Sequence, residues 1–207
     1  MSDGVFYVRD EALPDGRFAV SAHASGSFAE GQIVDALAAA ETIADPATRL
    51  VWRTSRSERG IIRIERGPVE VPGAPDLWFV NVDEPTASPR ATNLVGFATD
   101  HFEPGTVVNR YQFARLGVPN DEQVGAIRWY LDLAIVHQIF VAEPWRRRRA
   151  GSALIYAADA FHQSMGWPGA LRSDGRRTDL GEHFVAAQQY PARFPSRTAV
   201  MPPMDPA

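Results

Sequence analysis

The residues of this chain best suited to chemistry are four successive arginines and the small residues behind them. Arg146, Arg147, Arg148 and Arg149 lead into Ala150, Gly151, Ser152 and Ala153. The apolar stretch "IVHQIFV", residues 135–141, precedes them, and "SALIYAADAFHQSMG" follows with helical spacing. A helix start exposes unpaired N–H groups and the positive end of the macrodipole, where phosphate binds readily. Small residues let a ligand approach the backbone closely, and flanking arginines add charge-assisted hydrogen bonds. Strand, arginine loop, small residues and helix together make a pyrophosphate cradle. Neither G-x-x-x-x-G-K-[ST] nor a G-x-G-x-x-G after a strand is present, so a P-loop and a Rossmann fingerprint are disfavoured.

Other groups with chemical capacity are scattered. His137 lies in the apolar strand, Asp100, His101 and Glu103 end an earlier one, and Tyr190 follows the last helical segment. No H-x-x-x-H or H-E-x-x-H spacing occurs, so no metal is assigned. The chain has no cysteine, which excludes disulfides and thiolate chemistry. All 21 basic residues are arginine, so lysine Schiff bases are excluded too.

The elements that position these groups follow from patterning. "FYVRD" and "RFAVSA" read as strands around the turn "LPDG". "SFAEGQIVDALAAAETIA" reads as a helix. Ser27 and Glu30 have capping-box spacing, Ile33, Val34, Leu37, Ala40 and Ala44 form its stripe, and Asp45-Pro46 ends it. "RLVWRT", "GIIRIER" and "LWFVNVD" read as strands. "LVGFATDHF", "VVNRYQFARL", "VGAIRWYLD" and "IVHQIFVAEP" follow as an antiparallel meander, after the Pro-rich connectors "PVEVPGAP" and "DEPTASPRAT". The motif helix carries Ala153, Leu154, Ala157, Ala160 and Phe161 on one side and stops at Gly166. "GALRS" reads as a short strand, and 178–189 as a helix capped by Thr178 or Asp179. The expectation is one α+β domain over 1–190, with a central, mixed, mostly antiparallel sheet flanked by helices and an extended β-rich N-terminal half. Residues 191–207 read as a Pro-rich irregular tail.

Of the 207 residues, 45% are hydrophobic and 22% charged, with net charge −4. A polyanion-binding chain usually carries a positive excess, so the arginines are expected to act locally. A nucleic-acid surface built from Arg146–Arg149 with Arg172, Arg176 and Arg177 is accordingly the least favoured reading. The N-terminus lacks the pattern of a signal peptide, and no apolar run reaches the roughly 18–20 residues that span a bilayer. A cytoplasmic protein without a membrane partner is the expectation.

"IFVAEPWRRRRAGSALIYAA" resembles the acetyl-CoA-binding motif of the GNAT superfamily of N-acetyltransferases: apolar strand, V-x-P, [QR]-x-x-G-x-[GA], helix. "GAIRWY" upstream and "LRSDGRRTDLGEHF" downstream are similar to a subgroup with the signature H-S-x-x-R-T-x-x-G, matched here by Ser173, Arg177, Thr178 and Gly181, with Arg172 in place of histidine. The resemblance covers residues 94–190 and leaves 1–93 unassigned. It implies a GNAT-like fold and acetyl transfer from acetyl-CoA to the amine of a small-molecule or peptide acceptor. Ile139, Phe140 and Val141 would pair with the pantetheine arm. Arg146, Arg147, Arg148, Arg149, Gly151 and Ser152 would take the pyrophosphate. Counting from the strand gives Arg146-x-x-Arg149-x-Gly151, with arginine at a glycine position; counting from the small residues gives Arg148-x-x-Gly151-x-Ala153. The first keeps the spacing from Val141 to Leu154. Tyr190 is then the candidate acid for the leaving thiolate. His137 is the candidate base, with Asp100, His101 and Glu103 as alternatives. The alternative reading is a catalytically inactive binding or structural module on the same fold.

Overall fold

The structure, a computed structural model, describes residues 4–10, 12, 15–66, 71–188 and 194–201. β1 (Gly4–Arg9) and β2 (Val20–Ser25) form an antiparallel pair, and the short β3 (Ile33–Asp35) adds to β1 in parallel. β4 (Arg49–Arg56) and β5 (Ile62–Arg66) extend this half of the sheet from β2. β6 (Trp78–Glu84), β7 (Ala91–Phe97), β9 (Gln123–Tyr130) and β10 (Ile135–Val141) make an antiparallel run, which differs from the expected meander because the strand from "VVNRYQFARL" lies outside it and β7 pairs directly with β9. β8 (Thr106–Asn109) joins the two halves, pairing parallel to β6 and antiparallel to two residues of β5. β11 (Arg172–Ser173) lies parallel to β10 at the far edge. The result is α+β: one mixed sheet in the order β11-β10-β9-β7-β6-β8-β5-β4-β2-β1-β3.

Among the described residues four α-helices accompany it: α1 (Ala36–Ala44), α2 (Arg110–Ala114), α3 (Ala150–Ser164) and α4 (Asp179–Ala186). α3 contacts β10, β9, β7, β5, β4 and β2. Laid flat, β10 and β2 would stand roughly 34 Å apart at about 4.8 Å per strand, whereas a helix is only about 10–12 Å wide. The sheet therefore curls around α3, which has no exposed residue. Burying side chains such as Leu154 and Phe161 contributes roughly 1.5–3 kcal/mol each. Close approach requires Gly125 on β9, where a Cβ would stand 2.5 Å from the Phe140 carbonyl oxygen and 2.9 Å from Leu154 Cδ1.

Several expected elements differ. The helix expected over 27–44 begins only at Ala36, because Gly31 turns the chain at φ +74° and Ile33 and Val34 pair with β1 instead. β-branched side chains suit that edge strand. No capping box forms: Ser27 pairs with Ser25, and Glu30 accepts from the Val5 amide at 2.6 Å. Leu37, Ala40 and Ala44 are exposed while Ala39 is buried. The expected strand "VVNRYQFARL" is cut at Asn109. Asn109 Oδ1 accepts from the Tyr111 and Gln112 amides, Gln112 Oε1 accepts from the Asn109 amide, and this capping box starts α2. α3 carries no one-sided stripe, since all its faces are covered. In the tail, β13 (Ala199–Val200) pairs with β12 (Arg176–Arg177). Thr178 caps α4 as expected, accepting from the Gly181 amide at 3.0 Å.

Candidate functional site

β10 and β11 form a fork. β11 pairs only with Ile135 and Val136, so β10 runs on from His137 to Val141 without a strand on that side. A register shift between Val136 and Gln138 places a bulge at the apex. Beyond it, the Ala142 amide donates to the Val124 carbonyl on β9. Backbone alternation then turns Phe140 toward β9 and the amides and carbonyls of Ile139 and Val141 into the fork. Arg146 closes one of these positions, its Nε donating to the Val141 carbonyl at 3.1 Å.

The arginine loop stands at the open end of the fork. A 3₁₀ turn, Glu143–Trp145, leads into it, and Arg148 lies over the Trp145 ring at 4.6 Å. Arg147 and Arg149 both have φ 61°, the left-handed conformation that favours glycine. This bears on the two registers: residue 149 adopts the backbone of a glycine while carrying an arginine side chain. It also caps α3 without a side-chain hydrogen bond. Residues 146–149 form hydrogen-bonded turns, and the bonds of the helix begin with the Ala153 amide, which donates to the Arg149 carbonyl at 3.0 Å, so Gly151 and Ser152 stand in the first turn where helix amides lack partners. Left-handed turns running into a helix start form an anion-binding concavity. The side chains of Arg146, Arg147, Arg148 and Arg149 are exposed around it. Gly151 is tightly enclosed: a Cβ there would stand 3.0 Å from Phe184 of α4 and 3.6 Å from Val141.

His137 sits on the convex face of the sheet at the apex, about 13 Å along the strand from Val141. Burial, followed by the charges of Arg128 and Arg176, lowers its pKa below the ordinary imidazole value against the opposing Asp174 and Glu84. Its ring lies 5.1 Å from that of Tyr130. Next to it Glu84 is held by Arg128, with Nε at 3.1 Å from Oε1 and Nη2 at 2.8 Å from Oε2, and by Asn93 Nδ2 at 2.6 Å. These hydrogen bonds, Arg128 first, keep the Glu84 carboxyl below the usual range. Glu84, Asn93, Arg128 and Tyr130 carry no motif of their own; Arg128 and Tyr130 were visible only within "GAIRWY", and pairing across three strands brought them together.

The other expected groups fall elsewhere. Asp100, His101 and Glu103 follow β7, two strands from the fork, where Asp100 and Glu103 line a separate hollow of about 380 Å³ with Trp78 and Phe102. His101 Nδ1 meets Thr99 Oγ1 at 2.9 Å, and Glu103 pairs with Arg63 at 2.8 Å. Tyr190 lies outside the described residues. Arg176 is paired with Asp174, and Arg177 is buried on Glu182 and the Pro195 carbonyl, so neither joins the exposed loop arginines. Among the described residues no group of three or more His, Asp or Glu is placed to hold a metal ion, and no helix is long and apolar enough to cross a membrane. Comparison with protein-family models, curated proteins and solved structures gave no match.

Proposed function

We propose that the chain is a GNAT-like N-acyltransferase that moves an acetyl group from acetyl-CoA to an amine. The observation that carries this reading is the left-handed arginine turns leading into the start of α3, set at the wide end of the β10–β11 fork. A pyrophosphate fits that concavity, with the loop arginines around it. An extended amide-bearing pantetheine arm fits the backbone groups of Ile139 and Val141. Its thioester end then lies toward the apex, beside His137. Transfer forms an N–C bond and breaks the C–S bond, so the amine must lose a proton and the thiolate must gain one. His137, held neutral near pH 7, is suited to take the amine proton. Positioning supplies much of the rest.

Binding is tested by calorimetry and thermal unfolding. Acetyl-CoA at a hundred times its Kd adds about 2.7 kcal/mol to stability, a rise of several degrees. The double variant Arg147→Glu/Arg148→Glu, on exposed side chains, is expected to remove it. No heat and no shift at millimolar acetyl-CoA would reject the reading. Given turnover, His137→Gln should lower kcat and erase an acidic limb lying below pH 6.5.

One contact favours a second reading, an inactive module on the same fold. Phe184 packs on Gly151 and narrows the space beside the first turn of α3. Phe184→Ala separates the two: restored or tightened acetyl-CoA binding would mark the side chain as a plug.

A further inference from the structure

The convex face beside the apex holds a cavity of about 230 Å³ lined by Asn93, Gln123, Ala126, Arg128, Gln138 and Phe140. We infer that it is a carboxylate-binding site, and that the acyl acceptor is a small amine bearing its own carboxylate; the second clause rests on the acyltransferase reading, the first does not.

The argument starts from the guanidinium of Arg128. It has five N–H groups in a rigid fork with two usable edges. Glu84 occupies the Nε–Nη2 edge through both carboxylate oxygens, and the guanidinium lies over the Tyr130 ring at 5.2 Å. The edge toward Nη1 retains donors, and Arg128 lines the cavity. The Glu84 charge is already offset by Arg128, and Asn93 donates to the same carboxylate. Its role is to fix the guanidinium in place. Gln123 and Gln138 line the cavity with side-chain amides that make no hydrogen bond to the described residues. A half-buried guanidinium edge flanked by amide donors selects an anionic, planar acceptor of hydrogen bonds, which is a carboxylate. Phe140 and Ala126 offer an apolar floor for the carbons attached to it. The volume is below the roughly 300–1,000 Å³ of drug-sized pockets, so the ligand is small.

The bulge supplies the link to catalysis. Gln138 pairs across from Arg128, and His137 precedes Gln138 at the apex. A carboxylate held at Arg128 therefore orients the same molecule's amine along the strand toward His137, near enough for the Arg128 charge to act on that imidazole.

The test is amide chemical-shift titration of the full chain, without acetyl-CoA, using acetate and glycine as probes and acetamide and glycinamide as uncharged controls. The expected result is saturable shifts at Ala126, Gln138 and Phe140 with the carboxylates only, weakened about tenfold or more in Arg128→Gln, as befits loss of a charge-assisted hydrogen bond. Gln138→Ala leaves the Glu84–Arg128 pair intact and should weaken binding severalfold, which covers the case in which Arg128→Gln fails to fold. Shifts that ignore charge, or that survive both substitutions, overturn the inference. A chain that binds acetyl-CoA but no carboxylate overturns the site while sparing the acyltransferase reading. A chain that binds carboxylate but no acetyl-CoA keeps the site and removes its role as an acceptor pocket.

Discussion

The two faces of the curled sheet carry similar polar groups put to different ends. On the concave face, Asp159 accepts from the Tyr7 hydroxyl and from the Leu171 amide. His162 Nδ1 accepts from Trp129 Nε1 at 3.1 Å, which leaves the proton on Nε2 to donate to the Pro168 carbonyl at 3.0 Å. Gln163 accepts from Arg9 at 2.8 Å and donates to the Gly169 carbonyl at 2.7 Å. These bonds tie β1, β9 and the 168–171 segment to α3, in a dry interior where an unmade bond costs most. On the convex face, Glu84 and Arg128 are 34% and 21% exposed, and donors remain over. Around Asp159, His162 and Gln163, buried polar groups pair with one another and tie the fold together. Where water is admitted, the residual donors are available to a ligand.

The sharpest way to break this contrast is Asp159→Ala. It leaves the buried Tyr7 hydroxyl and Leu171 amide without their acceptor, each a loss of about 1–3 kcal/mol. A total near 3–5 kcal/mol is expected by urea denaturation, while Tyr7→Phe should cost only part of it. A loss below about 1 kcal/mol for Asp159→Ala would show that the concave network is not what holds the N-terminal half to α3.

Next in size is the pH dependence that His162 builds in. Burial lowers its pKa in the fold. The unfolded chain binds the proton more readily, so stability is full above the ordinary value of 6.5 and declines as pH falls toward the lower folded value. His23, lowered by burial as well, acts in the same direction. His162→Phe should flatten the decline in part and cost about 1–3 kcal/mol at neutral pH, by orphaning the Trp129 N–H and the Pro168 carbonyl. An unchanged slope in that variant would assign the acid sensitivity elsewhere.

The lip where the two faces meet carries strain instead. Arg149 at φ 61° holds a β-carbon in a left-handed turn, at a cost of about 1–2 kcal/mol. Arg149→Gly is expected to raise stability by about 1 kcal/mol, net of the glycine's greater unfolded entropy. An unchanged or lower melting temperature would mean that the Arg149 side chain has contacts worth the strain.

That position also shows what the sequence could and could not convey. The strand–loop–helix unit was legible, because β-branched runs, small residues and 3.6-residue spacing are local signals. The left-handed turn at Arg149 was legible only as an odd residue at a glycine position. The start of α1 is not legible, because Gly31 and the edge pairing of Ile33 and Val34 with β1 override a helical apolar spacing. α2 is masked by flanking residues that favour strands, although Asn109 and Gln112 spell a capping box. The Glu84–Arg128–Asn93 group was not legible at all. Its members lie on β6, β9 and β7, and only strand order and register bring them onto one face.

The smallest stability effect is expected for Arg128→Gln, and it completes the comparison. The pair it breaks is part-exposed, and such pairs contribute roughly 0–1 kcal/mol. Asn93 still donates to Glu84 at 2.6 Å, so the carboxylate keeps a partner. A loss under about 1 kcal/mol in urea denaturation, set beside the several for Asp159→Ala, would place structure on the concave side and recognition on the convex side. A loss as large as that of Asp159→Ala would instead make the Glu84–Arg128 pair a brace across β6, β7 and β9, and the two faces would no longer differ in kind.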